Sequence, residues 1–173
     1  MRMRQIVAIL SLLLCVVVVL AGGKSSTVSR LTADFKQTRT TKMLSSSAVS
    51  TGRMFYRAPA TLRWEYTSPY ALAFDMNGDK VTFTRNGRRT ELDRQESKMF
   101  REMGRVMMNS VVVSSRKRSM DLQLPNGLRA LYKSVTLYFN ASTHLAERIV
   151  MVEKNGDKME IELRNVIIYP FID

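Results

Sequence analysis

The chain has 173 residues, with 27 basic and 15 acidic side chains, one histidine and one cysteine, for a net charge of +12. That length suits one domain around one core. One histidine and one cysteine exclude the usual Cys/His zinc clusters and any internal disulfide framework, and the sequence holds no phosphate-binding loop, dinucleotide fingerprint or nucleophile elbow.

The first 23 residues, MRMRQIVAILSLLLCVVVVLAGG, join a basic tip at Arg2 and Arg4 to an apolar run from Ile6 to Ala21 and a small-residue exit. This is the pattern of a secretory signal peptide, with cleavage expected after Ala21 or Gly23; an uncleaved anchor is the alternative. Cys15 sits mid-run behind Leu14, which is too large for lipoprotein processing, so acylation there is not expected. Residues 24–173 then form the mature domain, without cysteine, and no linker divides it. Removing Arg2 and Arg4 leaves 25 basic against 15 acidic side chains. Such a surface suits transient contact with anionic lipid or with acidic partner patches, or is simply solvated.

Ser25–Leu31 is expected to be a short helix capped by Ser26 or Thr27, leading into a strand that carries Phe35 and Gln37. Gly52 to Gly78 reads as three strands, broken by Pro59 and Pro69 and closed by Asn77-Gly78. Because side chains alternate across a strand, Met54 and Tyr56 share a face, as do Leu62, Trp64 and Tyr66, then Tyr70, Leu72, Phe74 and Met76. Arg53, Arg57, Arg63 and Glu65 point the other way. One sheet face is therefore large, apolar and aromatic, and Val81 and Phe83 extend it.

From Glu91 to about Asn109 the period becomes helical. Met99, Met103, Val106 and Met107 fall on one side with Phe100 beside them, and charges fill the other. Beyond it, Met120, Leu122 and Leu124, then Leu131, Val135, Leu137 and Phe139, then Ile149 and Met151, then Met159, Ile161 and Leu163 read as strand faces. Four Asn-Gly pairs, at Asn77, Asn86, Asn126 and Asn155, read as tight hairpin turns. The pattern argues an antiparallel meander that curls on itself, with a helix placed to lie across its mouth.

The block DFKQT, Gly52, the Arg57-to-Pro59 step, LRWEY at Leu62 to Tyr66, Pro69 and Asn77-Gly78 resembles the outer-membrane lipoprotein carrier protein (LolA) family, over roughly Arg30 to Ile172. The resemblance implies an unclosed antiparallel β-barrel with a short N-terminal helix and a helical lid. It implies a periplasmic, non-enzymatic and cofactor-free carrier that shields lipoprotein acyl chains between the two membranes. An inner-membrane releasing transporter and an outer-membrane acceptor would be its partners. Members commonly carry an arginine directly before the first proline, where it bonds to the lid. Here Ala58 stands there, which leaves Arg57 and Arg63 as the candidates for lid control.

The candidate acyl-chain site is Met54, Tyr56, Leu62, Trp64, Tyr66, Leu72, Phe74 and Phe83 from the sheet, with Met99, Phe100, Met103 and Met107 from the helix. Methionine conforms to varied apolar shapes, and twelve occur in the chain. The same residues also fit an ordinary sandwich or barrel core, and a non-catalytic envelope lipid-binding or sensing module is the alternative to a carrier. His144 lies in a turn and reads as a surface residue. Arg116-Lys117-Arg118 lacks interleaved aromatics, so no nucleic-acid partner is expected. No metal is expected, and a monomer is.

Overall fold

The computed structural model describes residues 28–42, 46–98, 100–102, 116–124 and 126–170. Ten strands form one antiparallel sheet: β1 (Val28–Thr41), β2 (Ser46–Arg57), β3 (Thr61–Ser68), β4 (Leu72–Asn77), β5 (Lys80–Arg85), β6 (Arg88–Glu91), β7 (Ser119–Asp121), β8 (Tyr132–Phe139), β9 (Ala146–Glu153) and β10 (Lys158–Pro170). Their spatial order is β6-β5-β4-β3-β2-β1-β10-β9-β8-β7, so β6 and β7 are edges and the sheet is an open half-barrel. Each strand follows its sequence neighbour except at the centre, where the first strand pairs with the last from Val28↔Pro170 to Thr40↔Lys158.

Alternation builds the core. Leu31, Ala33 and Phe35 of β1, Met54 and Tyr56 of β2, and Leu62, Trp64 and Tyr66 of β3 are buried on one face. Val135, Leu137 and Phe139 of β8, Ile149 and Met151 of β9, and Met159, Ile161 and Leu163 of β10 continue it. The opposite face carries cross-strand ion pairs, among them Arg63 with Asp75 at 2.7 Å and Arg148 with Glu160 at 3.2 Å. Three of the four Asn-Gly pairs turn hairpins, with Gly78, Gly87 and Gly156 at φ of 59°, 74° and 93°.

Four expectations change. Tyr70 lies between β3 and β4 and is 67% exposed, so it does not share the inner face with Leu72, Phe74 and Met76. Val28–Leu31 opens β1 instead of ending a helix. Val28 and Leu31 are buried there and the Ser29 hydroxyl donates to the Tyr169 carbonyl, so sheet pairing overrides the local cap signals. Asn126-Gly127 begins a single helical turn, Asn126–Arg129, that drives Leu128 into the core. Leu131 is 41% exposed, because a register irregularity between Tyr132 and Ser134 puts Tyr132 on the buried side instead. The expected signal peptide and Cys15 lie outside the described residues.

Gly52 is the tightest point of the sheet. It pairs with Phe35 on one side and Tyr66 on the other, beside a register shift at Thr51. A Cβ added there would stand 2.0 Å from the Glu65 carbonyl oxygen and 2.5 Å from the Phe35 ring. The ring lies where a side chain would be, and the backbone oxygen cannot step aside. The far end of β1 is held differently. Arg39 reaches Glu153 and Asp157, both at 3.1 Å, and the Lys42 amide donates to Asp157. That amide, with Arg39 behind it, holds the Asp157 carboxyl below its ordinary value, whereas burial pushes Glu153 up against the pull of Arg39.

Two measurements check these points. Gly52→Ala should lower stability by about 3 kcal/mol in urea unfolding. Asp157 stabilises the fold fully above its unfolded-state pKa, and that stability is lost as pH falls through its lowered folded value; Glu153 acts with the opposite sign. Asp157→Asn should therefore cost about 2 kcal/mol at pH 7 and flatten the loss of stability between about pH 5 and 3.

Candidate functional site

Strand register gathers the predicted sheet residues into rows across the concave face. One row runs Met54–Trp64–Phe74–Phe83, and the next runs Tyr56–Leu62–Met76–Val81. A third is Phe35–Gly52–Tyr66–Leu72. Ring contacts bind the rows together: Phe35 stacks on Trp64 at 4.2 Å and meets Tyr66 edge-on at 5.1 Å, and Phe74 tilts against Phe83 at 4.8 Å. The Tyr66 hydroxyl donates to Gln37 Oε1 at 2.8 Å inside the core. Burial raises the pKa of the Tyr56 hydroxyl, so it stays neutral there.

A helical segment covers part of this face. Residues 94–98 and 100–102 are helical. Asp93 caps the segment by accepting the Gln95 and Glu96 amides, both at 2.8 Å, while Glu96 reaches back to the Asp93 amide at 3.2 Å. Phe100 projects onto the sheet, 3% exposed, and stacks on Phe74 at 5.3 Å. Arg101 then bonds the Asp79 carbonyl, with its Nε 3.6 Å from the Asp79 carboxylate, which pins the segment to the β4–β5 turn. Met99, Met103 and Met107 lie outside the described residues.

Arg57 and Arg63 stand on the other side of the sheet. Arg57 is exposed. Arg63 lies between Asp75 and Glu65, at 2.7 and 2.9 Å, and so braces β3 against β4. Ala58 packs at the edge of the core and its amide donates to the Ser29 carbonyl at 2.9 Å. Among the described residues, the polar tie between the segment and the β4–β5 turn thus comes from Arg101, which sequence reasoning did not single out. The reciprocal cap Asp93-x-x-Glu96 was a readable signal for where the segment begins. Leu31, Ala33, Ile161 and Met159 join the same apolar face; Met159 and Ile161 were readable as strand periodicity, whereas Leu31 was expected in a helix.

A dent of about 450 Å³ opens on the outer face, lined by Asp34, Lys36, Thr51, Gly52, Arg53, Thr67, Arg164 and Asn165, with Phe35 at its floor. Asn165 donates to Asp34 at 2.7 Å, and Lys36 and Arg164 pair with Glu162. Walls of both signs, already paired, make this a polar irregularity above a strand bulge and no place for a hydrocarbon chain. The concave face is apolar and aromatic, and among the described residues a helical segment covers part of it.

Residues 26–170 match the family described as outer membrane lipoprotein carrier protein LolA. The chain belongs to the LolA family. A LolA superfamily protein from Nitrosomonas europaea is similar in structure, at 9% identity and a TM-score of 0.47, over 84% of this chain and 88% of that one. The lipoprotein LppX of Mycobacterium tuberculosis is similar at 10% identity and a TM-score of 0.47, over 84% and 90% of the two chains. No curated protein matches. The family is one of lipoprotein carriers, and it places this chain among binding proteins.

Phe100→Ala removes the stack on Phe74. Amide exchange in residues 94–98 and 100–102 should then speed up at least about tenfold, with protection in β3 and β4 changed by less than about twofold. Hydrogen–deuterium exchange resolved by peptide checks this.

Proposed function

We propose that this LolA-family protein is a periplasmic carrier. It holds the acyl chains of lipoproteins against the concave face and ferries them from the inner to the outer membrane. Residues 1–23 act as a signal peptide and residues 24–173 as the carrier domain. The partners are acylated lipoproteins, an inner-membrane transporter that releases them and an outer-membrane acceptor. The carrier works as a monomer without a cofactor or chemical step.

The observation that carries this reading is Phe100 stacked on Phe74 above continuous rows of apolar side chains. Among the described residues, the cover over those rows is a helical segment and not another strand of the sheet. Removing it breaks side-chain contacts and leaves the ladder intact. Burying about a dozen methylenes is worth on the order of 10 kcal/mol. A cover that packs on the same surface when the site is empty offsets part of that gain, so cargo can be released. Only the difference in affinity between the open and covered states drives the exchange. The exposed basic residues leave the carrier attractive to anionic membrane surfaces at either end of the journey.

Photocrosslinking in cells tests the site. A crosslinker at Leu62 or Phe74 should label lipoproteins, and one at Arg53, whose side chain is 77% exposed on the outer face, should not. Equal labelling at all three positions sinks the proposal. Depletion of the protein should strand lipoproteins in the inner-membrane fraction; if they reach the outer membrane as before, the sensing module is the better reading.

A further inference from the structure

We propose that Trp64 is a polar anchor in the concave face: its indole N–H binds the carbonyl of a neutral acyl ester or amide, the group at the head of the chain being carried. The inference rests on the carrier reading and adds the chemistry by which the site recognises more than hydrocarbon.

Trp64 is 5% exposed, and its Nε1 is buried with no hydrogen-bond partner among the described residues. Buried donors in native proteins are nearly always satisfied, because leaving one unpaired forfeits its bond to water. The surroundings show why the fold does not satisfy this one. Trp64 pairs in register with Met54 and Phe74, and Phe35 stacks on its ring at 4.2 Å and 24°. Those three side chains hold no oxygen or nitrogen. The contrast with Tyr66, two residues along the same strand face, is direct. There the fold supplies Gln37 Oε1 at 2.8 Å from the hydroxyl.

Packing alone does not account for an indole at this position. A phenyl ring would also stack on Phe35 and would bring no orphan donor. The methylene part of a guest offers nothing to an N–H. Its first carbon does when that carbon is an ester or amide carbonyl, which accepts a hydrogen bond and carries no charge. A free carboxylate would also accept, but it would bring an unpaired charge among aromatic rings. The recognised class is therefore the neutral acyl carbonyl. O-acyl glycerol and N-acyl amine groups share it.

The test uses displacement of N-phenyl-1-naphthylamine from the protein by three guests with hexadecyl-length chains: 1-palmitoylglycerol, palmitoylethanolamide and the ether 1-O-hexadecylglycerol. The ester or the amide should compete about fivefold more strongly than the ether. Whichever is stronger identifies the source of the carbonyl. Trp64→Phe should erase the preference for the carbonyl guest over the ether, whatever it does to the affinity of the chain itself. Replacing Trp64 with 3-benzothienylalanine, which keeps the bicyclic shape and puts sulfur in place of N–H, should do the same should the smaller ring disturb folding. Because Trp64 is the single tryptophan, ultraviolet resonance Raman spectra report its N–H alone and should show hydrogen bonding appear with the preferred guest and not with the ether. Equal competition by all three guests overturns the anchor and leaves the carrier standing. So does a preference that survives the benzothienyl substitution. If no guest displaces the probe, the carrier reading itself falls, and the anchor with it.

Discussion

The contact on which the rest of the site depends is the Phe35 ring lying on the bare backbone of Gly52. Only a residue without a Cβ leaves room there, since the Glu65 carbonyl closes the other side. With the ring laid flat, Trp64 stacks on it and Tyr66 meets its edge. Tyr66 is thereby placed for Gln37, two residues beyond Phe35 on the same strand face. The separate fragments DFKQ, Gly52 and RWEY are thus one object in space. They form an aromatic platform that ties β1, β2 and β3 together at the middle of the sheet.

Seen from that platform, the site is a gradient of attachment. The central strands are held by ladder hydrogen bonds on both sides, and the platform belongs to them. Among the described residues, the helical segment is held by the Asp93 cap, the Phe100 stack and the Arg101 contacts with Asp79. Asp79 is 94% exposed, so that last contact is made in water, where an ion pair contributes little. The cover therefore rests mainly on apolar contact with the surface it hides. A guest of similar character competes for the same surface, which turns occupancy into an exchange of like for like.

Much of this was legible in the sequence because it is written locally. Pro59, Pro69 and the Asn-Gly pairs at 77, 86 and 155 mark chain reversals, and period-two alternation in LRWEY and LAFDM sets the inner face. What could not be read depends on distant partners. Nothing local to Val28–Leu31 announces that β10 will lie beside it, and Ser25, Ser26 and Thr27 just before it favour a cap when taken alone. The irregularity at Tyr132 and Ser134 inverts the side on which Leu131 falls, and a pattern of two has no means of showing a skipped residue. The rest of the difference concerns Arg101. Its role follows from where the β4–β5 turn sits in three dimensions, so Arg57, two residues before Pro59, was the more visible candidate and yet is exposed on the other side of the sheet.

The central seam has a consequence for how the molecule comes into being. Asp34 and Asn165, hydrogen-bonded across β1 and β10, are 131 positions apart in the chain. The middle of the sheet therefore cannot close until nearly the whole polypeptide is available, and such non-local pairing is slow. Until then the two meanders are half-sheets with a raw edge each. A nascent chain of this design stays unfinished and threadable through most of its synthesis, the condition that any route passing unfolded polypeptide through a narrow pore imposes on its passengers.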